Sequence, residues 1–571
     1  MSRMRRKALS KANKRRWVEF QDPKATELFL PLGDKDGNGR LSKREAPKIS
    51  LRIMELAAKL EYFNEFPYFK MYECNQSGVF RVQYPTQEYI LREVTFPKGL
   101  KMNIAHYREG FYKVPLERIC LKGACSMKTE KVGISFTADD TLKRVEIPSE
   151  EEWFNMIFDT QTSNPLYLGT DAHLYINGVR VDSIQIPKTV TRINAYVLAS
   201  NKVTDASWEI PNWIEEIGEG AFYENEELYI SDIPDSVKYI APKAFRGCSN
   251  LSISEFPNEG STVESYAFYD CKKVRFNSLP SSIVNIEEYA FYNNFALAIE
   301  RLPNVVTVGK YAFYGCRSMP LYSLSDKVTS IGEYAFYGCS NMILNWQFVN
   351  LRTLGQYAFY GCSLLNFDGV IPSGITVIPQ GCFQGCTNIR NLEFFGTGIA
   401  EFAFRETNLT KVTIHEGCTY IGTSVGSSYG TSRSGVFSNC PIMELHIPNT
   451  VKTIGDNAFL GIPATNITSL PDSLESLGVC AFNNVRTSIS ELPQSLTVIG
   501  WHALRNNTIK KIKMPSLQMV RAVASWSTPV SPFPVNTEVY VPDTLLNDYL
   551  SDNLWKNIAD LTFKPLSEWE D

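Results

Sequence analysis

Histidine is scarce in this chain. Five residues, His106, His173, His415, His446 and His502, are scattered along 571 positions with no spaced pair, which leaves no histidine-based metal motif. No run of about 18 apolar residues occurs, so the sequence predicts no membrane-spanning helix. The N-terminus has no apolar stretch before Trp17 and no small-residue cleavage site, so no export by the usual secretory route is expected. The net charge of -4 shows no large excess of either sign. One local exception stands out: residues 1–20 carry Arg3, Arg5, Arg6, Lys7, Lys11, Lys14, Arg15 and Arg16 against Glu19 alone. Such an arm can bind phosphates, remain a solvated tail, or insert into a larger assembly.

The thirteen cysteines do not form a secreted disulfide framework either. Cys120 with Cys125 and Cys382 with Cys386 lack the partner spacing of a zinc site. Seven of the thirteen, Cys248, Cys271, Cys316, Cys339, Cys362, Cys386 and Cys440, each stand three residues after a phenylalanine of a recurring phrase. The phrase reads Tyr-Ala-Phe-Tyr-Gly-Cys at 311–316, 334–339 and 357–362. Its phenylalanine recurs at 222, 245, 268, 291, 313, 336, 359, 383, 404, 437, 459 and 482, with gaps of 21 to 24 residues except for one of 33. Self-similarity at such a period predicts a solenoid, which presents long surfaces more readily than one deep pocket.

Within one repeat, Val328 and Ile331 begin an apolar stripe, Gly332 permits a turn, and residues 334–337 have the length of one helical or 3₁₀ turn. Ala335 and Phe336 are expected to face inward, with Tyr334 and Tyr337 on the other face. The short apolar runs that follow, 251–257, 274–280 and 298–303, read as strands pairing with the same run of neighbouring turns. The cysteines then form a buried column. Rungs about 4.8 Å apart also fall within reach of a disulfide.

The expected fold is an α/β solenoid of about 23-residue repeats with one short parallel strand per turn, capped at both ends. Fourteen turns are countable if Leu198 and Leu504 serve as atypical markers, with degenerate copies upstream at Val94-Thr-Phe-Pro97 and Val145-Glu-Ile-Pro148. The expected order is a basic arm (1–20), a calcium-loop segment (21–60), degenerate repeats forming an N-terminal cap (61–170), regular repeats (171–515) and a C-terminal cap (516–571).

The pattern Ile-Pro-x-x-Val-x-x-Ile-Gly-x-x-Ala-Phe-x-x-Cys resembles the BspA-type leucine-rich repeat family. Residues 447–459 follow it closely, although Ile462 stands where cysteine is expected. Residues 173–187 are similar to the family's lead into a fresh run of repeats. Val539-Tyr-Val-Pro-Asp543 with Tyr549 and Trp555 resembles its C-terminal cap. The resemblance implies a right-handed array and a binding or adhesion module rather than a catalyst. The absence of a signal peptide departs from the family's surface members.

Asp34-Lys-Asp-Gly-Asn-Gly-Arg-Leu-Ser-Lys-Arg-Glu45 fits an EF-hand loop. Asp34, Asp36 and Asn38 would offer side-chain oxygens to Ca²⁺, Arg40 its carbonyl, Ser42 a water-mediated contact and Glu45 a bidentate clamp. Residues 42–45 also form a capping box, and Pro47 shortens any exit helix. One such loop points to a structural ion rather than a switch.

Three further signals bear on function. Gly422-Thr-Ser-Val-Gly426 matches G-x-S-x-G, but the polar stretch 427–435 follows it in place of the helix that a nucleophile elbow requires. The same stretch accounts for the long gap, and insertions in repeat arrays gather on one face, often the binding face. Finally, Tyr266/Tyr269, Tyr289/Tyr292, Tyr311/Tyr314, Tyr334/Tyr337 and Tyr357/Tyr360 recur through five turns. Stacked, they would form two aromatic columns, either a docking surface for a protein or glycan or simply a cover over the core.

Two functions follow. The first is a structural component of a phage particle, a fibre, decoration or attachment protein made without export and anchored by Arg3, Arg5, Arg6, Lys7, Arg15 and Arg16. The second is a bacterial cell-surface adhesin. The expected partners are other virion or surface proteins or a host glycan or protein, with nucleic acid only through the arm and no small-molecule substrate.

Overall fold

The computed structural model describes residues 4–7, 17–20, 41–42, 93–96, 98–99, 101–104, 117–129 and, with short gaps, 142–570. The chain is a parallel-strand β-solenoid of about 17 turns. It divides into two compact units, Met1–Gly260 with Tyr266–Lys273 and Ser261–Ser265 with Val274–Asp571.

In the first unit, Met4–Lys7 pairs antiparallel with Trp17–Phe20, which pairs antiparallel with Leu41–Ser42. The apolar-proline segments noted above lie in strands of one sheet. Glu93–Phe96, Arg118–Leu121, Arg144–Ile147 and His173–Ile176 run parallel, and Val179–Val181 closes that sheet as an antiparallel hairpin. A short helix, Glu150–Phe154, starts where the Ser149 hydroxyl accepts the Glu152 N–H, and it buries Trp153 and Phe154. Farther on, Arg192–Ile193, Glu216–Ile217 and Tyr239–Ile240 stack in parallel.

The second unit repeats this last arrangement. Thr262–Val263, Asn285–Ile286, Thr307–Val308, Ser330–Ile331 and Thr353–Leu354 make one parallel sheet. Val377–Ile378 through Arg521–Val523 make a seven-stranded one. The register places Ile286, Val308, Ile331 and Leu354 in a single column, and the first three of these are buried.

The longer ladders therefore run through the residue pair that ends on the Ile of the Ile-Gly step, while the runs that end at proline carry shorter, interrupted ones, such as Arg301–Leu302 with Ser323–Leu324 and Asn391–Phe394 with Lys411–Ile414 and Glu444–His446. Of the three runs expected to be strands, only 298–303 contains one, Arg301–Leu302. The reason is backbone proximity. A Cβ built on Gly332 would sit 2.6 Å from the backbone nitrogen of Lys310, so this glycine is there for close approach between turns rather than for a turn of its own.

The Tyr-Ala-Phe-Tyr segment also differs from the expected helical turn. Its N–H groups alternate between two duties. Those of Tyr311, Phe313 and Gly315 reach the next turn, donating to Glu333 O, Ala335 O and Tyr337 O at 2.9, 2.8 and 2.8 Å. Those of Ala312, Tyr314 and Cys316 close local turns onto Gly309 O, Tyr311 O and Phe313 O. This alternation requires left-handed backbone at two places, with φ of 55° at Tyr311 and 74° at Gly315. Gly fits the second position freely, whereas tyrosine occupies the first against its intrinsic preference.

The marker phenylalanines form the core. Phe222, Phe245 and Phe268 stack at 5.1 and 5.4 Å in the first unit. Phe291 through Phe482 stack in the second at centroid distances of 5.0 to 5.7 Å. At the end of the chain, Lys511–Lys513, Thr537–Val541 and Leu561–Pro565 add a parallel sheet, against which the helix Leu546–Ser551 buries Tyr549.

Candidate functional site

The thiol column is built, and its chemistry is hydrogen bonding. Among the twelve described cysteines no disulfide joins one to another. The thiols of Cys316, Cys339, Cys362 and Cys386 donate to the carbonyl oxygens of Phe291, Phe313, Phe336 and Phe359, one turn earlier, at 3.0 to 3.1 Å. Cys248, Cys271 and Cys440 do the same to Phe222, Phe245 and Phe404. Burial pushes all seven thiols up from their ordinary value, to about 11 at Cys440, which disfavours the thiolate form.

The tyrosines do form two columns. In the second unit, Tyr289, Tyr311, Tyr334 and Tyr357 stack at 4.6, 4.7 and 5.0 Å. Tyr292, Tyr314, Tyr337 and Tyr360 stack at 4.7, 4.6 and 4.3 Å. The columns lie side by side, with Tyr311 and Tyr314 centroids 5.6 Å apart. All eight rings are half-buried. Because the interior rings are covered on both faces by their neighbours, what they leave to water is ring edge and hydroxyl. Burial, then the neighbouring Tyr360 and Tyr314, pushes the Tyr337 hydroxyl up to about 12.

The first unit holds Tyr266 and Tyr269 5.6 Å apart. There the Arg246 guanidinium lies over Tyr223, Tyr266 and Tyr269 at 5.2, 5.4 and 4.9 Å. Toward the C-terminus the column stops at Gly381, whose Cβ would fall 2.1 Å from the Tyr357 ring. That ring leans across the space that the next tyrosine would need.

Ser424 is not poised as a nucleophile. One oxygen of Glu401 accepts both the N–H and the hydroxyl of Thr423, at 2.9 and 2.6 Å, and both the N–H and the hydroxyl of Ser424, at 3.0 and 3.1 Å. Asp456 holds the other side, accepting the N–H groups of Gly426 at 3.0 Å and Val479 at 2.7 Å. Burial alone would raise the Glu401 carboxyl, but the hydrogen bonds from Thr423 and Ser424 outweigh it and hold the group below its ordinary range. The G-x-S-x-G match is thus the root of the long insertion, whose residues 427–434 lie outside the described ones.

The expected calcium ligands Asp34, Asp36, Asn38, Arg40 and Glu45 also lie outside the described residues, and of Ser42 only the strand pairing with Trp17 is described. In the basic arm, Arg5, Arg6 and Lys7 lie in the strand Met4–Lys7 opposite Glu19, Val18 and Trp17. Arg3, Arg15 and Arg16 fall outside. His415, set aside above as isolated, has company. Its Nε2 lies 3.0 Å from Glu393 Oε1, and its ring stacks on the exposed Phe395 at 3.9 Å. Only the strand register brings these three together, so linear spacing gave no signal for them.

Comparison with known proteins gives a family and several solved structures of low identity. The family model described as BspA type leucine rich repeat region matches residues 171–298, 306–428 and 431–528, more than half of the chain. No curated protein matches. A leucine-rich repeat protein from Bacteroides ovatus is similar at 21% identity and a TM-score of 0.39, over 62% of this chain and 91% of that one. A leucine rich cell surface protein from Faecalibacterium prausnitzii is similar at 19% identity and a TM-score of 0.30, over 58% and 86%. The pneumococcal vaccine antigen PcpA is similar at 16% identity and a TM-score of 0.37, over 69% and 98%.

Proposed function

The chain belongs to the BspA-type leucine-rich repeat family, and from that premise we propose that it is a surface adhesin that docks another protein along its tyrosine columns. The observation that carries this is the pair of stacked columns running through successive turns. A core needs Ala and Phe inward and Cys behind them. It does not need two tyrosines per turn, one of them in left-handed backbone.

The geometry favours a protein over a glycan. Sugars pack their C–H faces on open aromatic faces, and here the faces of the interior rings are taken by neighbouring tyrosines. Ring edges and hydroxyls remain, and these suit carbonyls, carboxylates and the aromatic faces of a protein partner. Catalysis is disfavoured at the one serine motif, because both polar groups of Ser424 are committed to Glu401.

Replacing Tyr311, Tyr314, Tyr334 and Tyr337 by serine tests the proposal, with folding checked by circular dichroism. Adhesion of the labelled chain to cells should fall with the replacement, and protease treatment of the cells should abolish it while periodate leaves it. Undiminished binding by the replaced chain, or loss on periodate alone, sinks the protein-docking reading.

A component of a phage particle remains the second reading, motivated by the basic residues Arg3 to Arg16. Mass spectrometry of purified virions against bacterial outer-surface fractions separates the two. In either setting, we propose that the loop 34–45 holds a structural Ca²⁺. Terbium luminescence on the full chain tests this, and its absence from an Asp34→Ala, Glu45→Ala variant locates the site.

A further inference from the structure

A partner that makes the same contact on all four turns of the second unit's tyrosine face must repeat at the pitch of that face, 4.3 to 5.0 Å. Few surfaces repeat that closely. A parallel-strand solenoid does, since its turns are spaced as strands in a sheet are, about 4.8 Å. A second copy of this chain matches the pitch by identity.

The chemistry of the face is also self-complementary. A phenolic hydroxyl donates and accepts, so a field of hydroxyls is satisfied by another field of hydroxyls. Isologous contacts of this kind are the commonest way for identical chains to pair.

The charges beside the columns fix a direction. Immediately before the first tyrosine of each turn stand Glu288, Lys310, Glu333 and Gln356. Lys310 lies over the Tyr311 ring at 5.4 Å and pairs with Glu333 of the next turn at 2.8 Å. Both side chains remain partly exposed, 44% for Lys310 and 36% for Glu333. Consider a two-fold axis across the columns, midway between the turns of Tyr311 and Tyr334. It sets Tyr289 opposite Tyr357 and Tyr311 opposite Tyr334 of the second copy. The same operation sets Lys310 opposite Glu333 and Glu288 opposite Gln356. No like charges meet, and the axis falls at the centre of the four-turn columns.

We propose, resting on the docking reading above, that the partner of this face is a second copy of the chain, paired antiparallel about that axis. The test exploits the symmetry. A chain carrying Lys310→Glu faces its own copy with four acidic groups, and one carrying Glu333→Lys faces its copy with four basic groups. Mixed together, acidic meets basic at both contacts.

Sedimentation velocity on the full-length chain from low to high micromolar concentration should show a dimer for the parent. Each charge variant alone should bind itself at least about tenfold more weakly, and the equimolar mixture should regain the dimer. Tyr314→Ser with Tyr337→Ser should give the same loss without changing charge. A parent chain that stays monomeric overturns the proposal, as does a mixture that associates no better than its components. If the parent is monomeric yet the tyrosine replacements still abolish adhesion, only self-pairing fails and the docking reading stands. If dimerisation survives the tyrosine replacements, the assignment to this face fails.

Discussion

Cys339 donates its thiol to the Phe313 carbonyl at 3.1 Å, and that oxygen also accepts the Cys316 N–H, likewise at 3.1 Å. A carbonyl at the heart of the stack thus has both lone pairs used, one of them by a side chain small enough to leave the phenylalanines in contact. Other turns solve the same problem with an amide: Asn507 donates its side-chain N–H to Phe482 O at 3.1 Å. Cys339→Ala removes the donor and leaves a small void, and should cost about 1–2 kcal/mol of unfolding free energy. Cys339→Ser keeps a donor and should cost less. Chemical denaturation of the two variants orders them, and equal losses would show that packing rather than the thiol bond matters.

Tyr334 presents a competition between backbone and side chain. Its φ of 55° carries a strain of roughly 1–2 kcal/mol for a residue with a Cβ. Its ring stacks on Tyr311 at 4.7 Å and Tyr357 at 5.0 Å, and each such contact contributes about 0.5–1.5 kcal/mol beyond the area it buries. The stacks and the buried ring area together exceed the strain. Tyr334→Asn, which suits left-handed backbone, should therefore still destabilise the chain by about 1 kcal/mol. A gain in stability would mean that the columns are strained for function and contribute nothing to the fold.

Among elements, the root of the insertion, residues 423–426, is tied down by two carboxylates. Four donors converge on one oxygen of Glu401, an arrangement that suits a charged acceptor. Glu401→Gln keeps the oxygen but loses the charge, and should weaken the root by about 1–2 kcal/mol. The pH dependence has a definite sign. The folded carboxyl lies below the unfolded value of 4.5, so its contribution is present above that value and is lost as pH falls through the lower folded one. Hydrogen exchange at the Thr423 and Ser424 amides should accelerate in the parent as pH falls through that range, relative to the intrinsic rate. In Glu401→Gln it should already be fast at neutral pH and show no such step.

Neither Glu401 nor Asp456 was legible in the sequence, because each acts across a turn of the solenoid and the insertion breaks the period there. The period itself was legible, and with it the phenylalanine stack, the cysteine column and the aligned tyrosines, since each follows from identical residues landing in register. The position of the ladder was not. Proline-ended runs look like strands and some of them are, but the longer ladder follows the closeness of the backbones at Gly309, Gly332 and Gly355. The left-handed tyrosines were hidden for a related reason. Propensity assigns that conformation to Gly or Asn, and here stacking overrides propensity.

At the scale of the whole molecule, a solenoid's stability is a sum over neighbouring turns, so its weak points are its ends. The phenylalanine stack of the second unit runs out at Phe482, where the next marker position holds Leu504. Beyond it, the last strand of the seven-stranded sheet, Arg521–Val523, is preceded by Val520, whose backbone would face water on its open side. Two aromatic side chains meet it. The Val520 N–H donates to the Tyr549 hydroxyl at 2.7 Å, and the Trp555 indole N–H donates to the Val520 carbonyl at 2.8 Å. Both rings also pack on Phe563, at 5.3 and 5.6 Å. The cap thus does by side chains what a further turn would do by backbone, and it denies the sheet an edge on which another strand could add. Trp555→Ala should therefore cost about 3–5 kcal/mol, and the loss should be directional. Amide protection should disappear first at Arg521–Val523, then at Val498–Gly500, and last around Phe313 and Phe336. Trp555→Phe keeps an aromatic ring but removes the indole donor and the second ring's volume, so it should cost less than Trp555→Ala, about 2 kcal/mol, and leave that order unchanged. Protection lost uniformly along the second unit would show instead that its turns unfold as one cooperative block, with the cap no more decisive than any other turn.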